Sequence, residues 1–400
     1  MDLRLTDDEL LFRDEVRTYF ATALPADIRA KCVLGQRLSQ EELKRWQKIL
    51  HDKGWATPAW SPEWGGTGWS AVKQYIFKEE LHMAPAPEPL SFNVNMIGPT
   101  LIAFGTDAQK RHFLPRISSL EYWFCQGFSE PGAGSDLAAL RTTAQRDGNH
   151  YVINGQKLWT STAHHADWCF LLVRTDPQAK KQQGITYLLM DMKTPGITVR
   201  PIITLDGHHE TNEMFLENVR VPVANRLGEE NKGWDYAKYL LGHERSGIAR
   251  VGISKMRLRR ARELARRVPV GNATLADDPR FRERAAAIEV ELKALEITQM
   301  RLIAEISRSS ASGKPDPKAS ILKLKGSELQ QAATGLLLEV AGYDAFEFDR
   351  DFVRGLREGD DEADWARAIA PNHYFARHVS IVGGSNEIQR NILAKTVLGL

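Results

Sequence analysis

The sequence predicts an α+β fold, with a helical N-terminal domain over 1–122, a central β domain over 123–228 and a C-terminal helical bundle over 229–400. Three observations carry this prediction. Apolar residues recur at helical spacing up to about Leu120. From Trp123 to about Val223 the texture changes to β-branched and aromatic runs broken by turn residues. After Asn225 the helical spacing returns and persists to Leu400. Strands segregated between two helical blocks, rather than alternating with helices, indicate α+β layering over α/β winding.

Taken in order, Thr6 and Glu9 have the spacing of a capping box and open a helix through Phe20, with Leu10, Phe12, Val16 and Phe20 on one face. Helices follow at Gln40–Lys53, Ser70–Met83 and Ile97–Phe104, the first two separated by a Trp-, Pro- and Gly-rich loop from Trp55 to Trp69. Strand patterns lie at Tyr151–Ile153, Trp168–Val173, Thr186–Asp191 and Gly196–Arg200. The last block is broken at Val268–Asp278, Ala311–Pro317 and Gly359–Asp361. No internal repeat stands out.

A chain of 400 residues that is 42% hydrophobic can bury a large core. Lys and Arg total 53 against 51 for Asp and Glu, a balance that does not argue for nucleic acid or a membrane surface. No run of eighteen apolar residues is present, and the start Met1-Asp-Leu-Arg-Leu-Thr6 lacks an apolar signal core, so a cytoplasmic location is expected. Cys32, Cys125 and Cys169 are widely spaced and odd in number, as free thiols in a reducing compartment would be. The pairs His164-His165 and His208-His209 lack the i, i+4 spacing of a helical metal motif, and no metal is expected.

Two segments carry the chemistry. Phe128-Ser-Glu-Pro-Gly-Ala-Gly-Ser-Asp136 is a tight turn whose glycines allow close backbone approach and whose Ser129 and Ser135 supply hydroxyls. Asn154-Gly-Gln-Lys-Leu-Trp-Thr-Ser161 follows a hairpin centred on Asp147-Gly-Asn149 and ends in Trp159. Each alone reads as a Gly-rich turn or a strand with a core Trp. Together they offer an aromatic wall and a cluster of small polar groups, which a planar polar ring such as a flavin needs.

In this order the two segments resemble the flavin-binding middle domain of the acyl-CoA dehydrogenases, and the resemblance covers essentially the whole chain. Phe215-Leu-Glu-Asn-Val-Arg-Val-Pro222 is similar to the strand that closes that domain, and Gly384-Ser-Asn-Glu-Ile-Gln-Arg390 to the family's last cofactor-contacting turn. The resemblance implies FAD as cofactor, held by Gln126, Phe128, Ser129, Gly134 and Ser135, with Trp159, Thr160 and Ser161 behind the ring and Ser385 and Glu387 from the C-terminal turn. It implies α,β-desaturation of an acyl-CoA thioester to the 2,3-enoyl-CoA, with electrons passed to electron-transferring flavoprotein. The acyl thioester is expected against Ser135, Arg245, Gly383 and Gly384.

Removing the α proton requires a base. Many family members carry a Glu directly before the Gly-Thr/Ser of the C-terminal turn; here that position is Gly383, which cannot take a proton. The isovaleryl-type enzymes instead carry the base on a helix of the last domain, before an Arg, and Leu241-Gly-His-Glu244-Arg245 resembles that helix. Glu244 is therefore the expected base. Burial should raise its pKa toward neutrality. Without the family context, a Glu beside an Arg on a helix reads as a solvated pair.

The family completes its FAD site from a neighbouring chain through Arg-x-x-Phe-Gly and Gln-x-x-Gly-Gly segments. The corresponding stretches here are Arg266–Asp278, which lacks Phe-Gly, and Leu338-Glu-Val-Ala-Gly342, in which Leu replaces Gln. The expected assembly is a tetramer, either α2β2 with a homologous chain supplying the ADP half, as in bacterial steroid-CoA or pimeloyl-CoA-type dehydrogenases, or a homotetramer with altered ADP contacts. The basic run from Arg250 to Arg267 reads as a solvated helix face, or else as a contact to CoA phosphates or a partner. Two rival functions stand beside the dehydrogenase: a non-catalytic subunit of a heteromeric enzyme, and a flavin oxidase or monooxygenase on the same fold. The acyl group is open, with the small Gly383 leaning weakly toward wide ones in lipid or steroid degradation.

Overall fold

The structure is a computed structural model that describes residues 4–247, 249–308 and 318–400, with side chains described except at 243–247 and 306–308. The chain begins with α1 (Asp7–Ala23), α2 (Ala26–Leu34), α3 (Gln40–Asp52), α4 (Ala71–Met83), α5 (Gly98–Phe104) and α6 (Asp107–Ser118). Helix α1 opens as the sequence predicts: the Thr6 side chain accepts from the Glu9 N–H and the Glu9 carboxylate accepts from the Thr6 N–H. Its buried face is Phe12, Val16 and Phe20. Ahead of α5 the expected helical start gives way to a wide π turn over Phe92–Ile97. Asn93, fully buried there, donates to the Ile117 and Tyr122 carbonyls and accepts from the Phe124 N–H, tying the helices to the first strand.

Seven strands form one curled sheet: β1 (Phe124–Gly127), β2 (Thr143–Asp147), β3 (His150–Lys157), β4 (Trp168–Arg174), β5 (Ile185–Asp191), β6 (Ile197–Ile203) and β7 (His209–Pro222). The order is β1-β4-β2-β3-β7-β6, with β5 also on β4. Strands β1 and β4 run parallel, Phe124 opposite Trp168, and the remaining long pairings are antiparallel.

Strands β4 and β5 are buried on both faces, so they read as continuous apolar runs. One face of the pair, including Cys169, Leu171, Leu188 and Met190, fills the sheet's concave interior with Tyr151 and Val219. The other, including Phe170, Leu172, Tyr187 and Leu189, packs on Ile97, Leu101, Phe113 and Leu240 from the helices. Asn154-Gly155, a turn signal in sequence, does not reverse the chain. β3 runs through it, and β7 absorbs a bulge opposite, where Asn218 takes φ 52 and donates its N–H to Asn154 Oδ1.

The chain ends with α7 (Gly233–Gly247), α8 (Val251–Ala265), a small hairpin β8 (Pro269–Val270) and β9 (Ala273–Thr274), α9 (Pro279–Arg308), α10 (Ala319–Ala341), α11 (Arg350–Val353), α12 (Ile369–Phe375) and α13 (Asn386–Leu393). α8, α9 and α10 share a core of Leu258, Leu264, Phe281, Leu292, Leu322 and Leu336. α7 lies between the layers, touching β5, α5 and α10. Among the described residues no helix is long and apolar enough to cross a membrane. The break expected at Ala311–Pro317 lies outside the described residues.

Candidate functional site

The two signature segments meet at the end of β1 and are welded together by a buried ion pair. Lys157, fully buried, donates to Glu130 Oε1 at 2.8 Å and to the carbonyls of Leu172 (2.7 Å) and Phe128 (3.3 Å). Glu130 also accepts from the Arg141 and Thr142 N–H groups at 2.6 and 3.0 Å. Burial opposes the Glu130 carboxylate, but the Lys157 ammonium and these donors outweigh it and hold its pKa below the ordinary value. The Leu158 N–H completes the joint on the Ser129 carbonyl at 2.8 Å. Both residues lie within the signature segments, where neither the spacing nor the resemblance gives them a role. The signal was parity: Lys157 lies on the same face of β3 as the buried Tyr151 and Ile153.

The Lys157–Glu130 pair and the Leu158–Ser129 bond set the Phe128–Glu130 stretch beside Lys157–Thr160 as a shelf, with Gln126 just upstream on β1 and Ser161 next after Thr160. Phe128 is buried edge-on against Phe170 and Tyr187. Gly134 and Ser135 sit exposed just past the Glu130–Ala133 turn. The turn glycines Gly132 and Gly134 have open space where a side chain would go, so packing within the chain does not demand them. Trp159 is held at φ 60 and is 59% exposed, a costly combination for a large apolar residue. The next residue, Thr160, is fully buried, and its hydroxyl Oγ1 has no hydrogen-bond partner. An exposed indole beside an orphaned hydroxyl fits a planar, polar ring lying on this shelf.

Behind the shelf, Asn212 clamps the Thr160 peptide. Its N–H donates to the Thr160 carbonyl at 3.1 Å, its carbonyl accepts from the Thr160 N–H at 2.9 Å, and its side chain donates to the same Thr160 carbonyl at 2.9 Å. The Asn212 amide also donates to His164 Nδ1 (3.1 Å) and accepts from His209 Nε2 (2.7 Å). His164 stacks on His209 with ring centres 3.9 Å apart and meets His165 at 4.0 Å. The histidines therefore pack as rings. Among the described residues no group of three or more His, Cys, Asp or Glu is arranged to hold a metal ion.

Burial, helped by His165 and His209, lowers the His164 pKa to about 4, and burial with Arg37 nearby does the same for His208, to about 4. Histidine in an unfolded chain titrates near about 6.5. Between those values the unfolded state takes up protons that the folded state refuses, so stability falls as pH drops from about 6.5 to about 4 and levels off below. The urea midpoint should fall between pH 7 and pH 5, and H208Q should flatten that fall. A pH-independent midpoint in the wild-type protein would rule the histidines out as its acid-sensitive element.

The C-terminal turn is built separately. Gly383 and Gly384 take φ 67 and 86, a left-handed conformation suited to glycine, and the buried Gln389 donates to both carbonyls at 3.3 and 3.1 Å. Ser385 caps α13 by accepting from the Ile388 N–H, and Glu387 is exposed beside Arg390. Asn386, beneath them, accepts from Lys323 and Ser327 of α10. Among the described residues no hydrogen bond or ion pair joins this turn to the β shelf. Glu244 and Arg245 fall in the last turn of α7, and their side chains lie outside the described residues.

The two segments that the resemblance assigns to the ADP half lie apart from the C-terminal turn in the chain. Val268–Asp278 forms the exposed β8–β9 hairpin and a short turn. Leu338 and Gly342 line a cavity of about 830 Å3 with Leu205, Tyr343, Phe346 and Phe348. Tyr343 is 87% and Phe346 75% exposed.

Comparison with known proteins finds matches along the whole chain. Residues 6–121 match the acyl-CoA dehydrogenase N-terminal domain, 125–219 the middle domain and 231–398 the C-terminal domain. The chain is 38% identical over 396 residues to acyl-CoA dehydrogenase IpdE1 of Mycobacterium tuberculosis (strain ATCC 25618 / H37Rv), with 97% of each covered. It superposes on a chain of the ChsE4-ChsE5 complex from Mycobacterium tuberculosis with TM-score 0.84 and 36% identity, covering 100% of this chain and 99% of that one. For the Tcur3481-Tcur3483 steroid ACAD the values are 0.85, 32%, 100% and 99%.

Proposed function

The chain belongs to the acyl-CoA dehydrogenase family and is FAD-dependent, and from that premise we propose that it desaturates an acyl-CoA between its α and β carbons with Glu244 as the base. One observation carries the flavin side of this reading: the welded shelf that presents exposed Trp159 beside the orphaned Thr160 hydroxyl. Bound there, FAD supplies the acceptor for the β hydride. The protein's own tasks are to hold the thioester, polarise its oxygen and take the α proton.

Glu244 sits at the C-terminal end of α7, the helix wedged between the sheet and the bundle. Gly383 leaves no carboxyl at the other family position, and its left-handed backbone would strain any side chain placed there. N–H groups of the Gly383–Ser385 turn are the candidates to polarise the thioester oxygen. Ser135, exposed just past the turn, is placed to meet the pantetheine end of the substrate.

We also propose a heteromeric assembly in which a homologous chain completes the ADP half of the FAD site. Leu338 cannot hydrogen-bond a nucleotide, and the large apolar rings around its cavity are exposed in the single chain. Two of the similar structures are named as complexes of two different chains.

Purified alone, the chain should hold little FAD; co-expressed with a homologous partner, it should hold one FAD per pair of chains. That complex, mixed anaerobically with acyl-CoA, should bleach the flavin and yield enoyl-CoA. Full flavin occupancy of the chain alone would refute the heteromer. Oxygen-dependent turnover forming hydrogen peroxide would favour an oxidase instead.

A further inference from the structure

Thr160 is held to β7 in two ways. The backbone bonds it exchanges with Asn212, at 2.9 and 3.1 Å, need no particular side chain. The amide of the fully buried Asn212 adds a third bond, donating to the same Thr160 carbonyl at 2.9 Å. That carbonyl then accepts two hydrogen bonds, one for each lone pair, which fixes the plane of the Thr160–Ser161 peptide. The peptide is trans, so the Ser161 N–H points the opposite way, away from Asn212. Among the described residues this N–H has no acceptor, and the Thr160 hydroxyl has no partner either. Two polar groups are left open beside a peptide whose orientation is set twice over.

The amide can act in only one orientation. A carbonyl accepts and never donates, so Nδ2 must face Thr160. Its second hydrogen goes to His164 Nδ1 at 3.1 Å, and Oδ1 accepts from His209 Nε2 at 2.7 Å. His164 must therefore keep Nδ1 bare, and His209 must carry its proton on Nε2. A proton on His164 Nδ1 would meet an N–H and turn the amide away from Thr160. The fold opposes that proton, because His164 stacks on His209 at 3.9 Å and meets His165 at 4.0 Å. Partial burial and those rings lower the His164 pKa to about 4. The other charged groups around the rings are Glu41 and Lys44 of α3, acting on His165. On the β6–β7 turn they are His208 with Glu210 at 3.7 Å, Asp206 with Arg37 at 3.0 Å, and Arg354 acting on His208.

We propose that Asn212 is a positioning residue of the flavin site: its side-chain amide, oriented by His164 and His209, fixes the Thr160–Ser161 peptide so that the Thr160 hydroxyl and the Ser161 N–H are presented to the ring. The role assigned to Asn212 rests on FAD lying on the shelf and is independent of the base and of the acyl group.

FAD affinity and the absorption spectrum of the bound flavin are measured on the complex between about pH 8 and about pH 5, without acyl-CoA. In the wild-type protein affinity should weaken toward the acid end, as His164 begins to take up a proton. N212D should slope the other way. At about pH 8 its carboxylate has no hydrogen for the Thr160 carbonyl, and FAD should bind on the order of tenfold more weakly, with a spectrum shifted toward that of free FAD. Toward about pH 5 the introduced carboxyl gains a proton, can donate again, and should recover much of the affinity. H164F keeps a ring on His209 but removes the Nδ1 acceptor, and it should abolish the wild-type slope. It carries the test alone if N212D does not assemble. Wild-type affinity and spectrum in N212D at every pH, a loss that does not change with pH, or an unaltered slope in H164F would each overturn the positioning role. W159L separates the premise: FAD affinity and spectrum left unchanged by W159L would show that the flavin does not lie on the shelf at all.

Discussion

Glu244→Gln should slow anaerobic flavin reduction by acyl-CoA by about 10³-fold. The amide keeps the size and hydrogen-bonding reach of the carboxylate but cannot accept the α proton, so only the base function is lost. FAD content and thermal stability should stay at wild-type values, since the substitution preserves the side chain's size and adds no charge. Rapid mixing separates the outcomes: a rate within a few-fold of wild type would place the base elsewhere, or the working site in the partner chain. The result therefore also decides between a catalytic and a merely structural subunit.

Lys157→Met should cost about 3–5 kcal/mol, because it leaves Glu130 buried without its counter-charge. The damage should reach the cofactor, since Lys157 is also the donor that ties the Phe128 and Leu172 carbonyls to the shelf. The expected readout is a lowered urea midpoint together with release of FAD at lower denaturant than in the wild-type protein. Lys157→Met combined with Glu130→Gln should recover much of the stability, because the uncompensated charge is gone. A single Lys157→Met variant with wild-type midpoint and flavin retention would show that the weld is dispensable.

Much of this was legible before any coordinates. The capping box at Thr6 and Glu9, the apolar stripe of Phe12, Val16 and Phe20, and the doubly buried β4 and β5 all follow local rules of spacing and parity. The resemblance implies that Trp159 and Thr160 lie behind a flavin ring; what the sequence does not show is that Trp159 is exposed and that the buried Thr160 hydroxyl lacks a partner among the described residues.

Other features were not legible, because they depend on residues far apart in sequence. Asn212 is an ordinary strand residue until β7 brings it under Thr160. The Arg250–Arg267 run reads as a solvated face, yet folding commits Lys255, Arg260, Arg262 and Arg267 to ion pairs with distant carboxylates.

The sequence by itself determined the helix–sheet–helix order, the two signature segments and the vacancy at Gly383, since each is written in neighbouring residues. Only the tertiary structure decided that those segments are welded by Lys157 and Glu130, and that Lys255, Arg260 and Arg267 of the basic run end in ion pairs within the chain. Both are electrostatic facts. A charge is paired or unpaired according to what folding brings within a few ångströms of it, and spacing along the chain does not encode that distance.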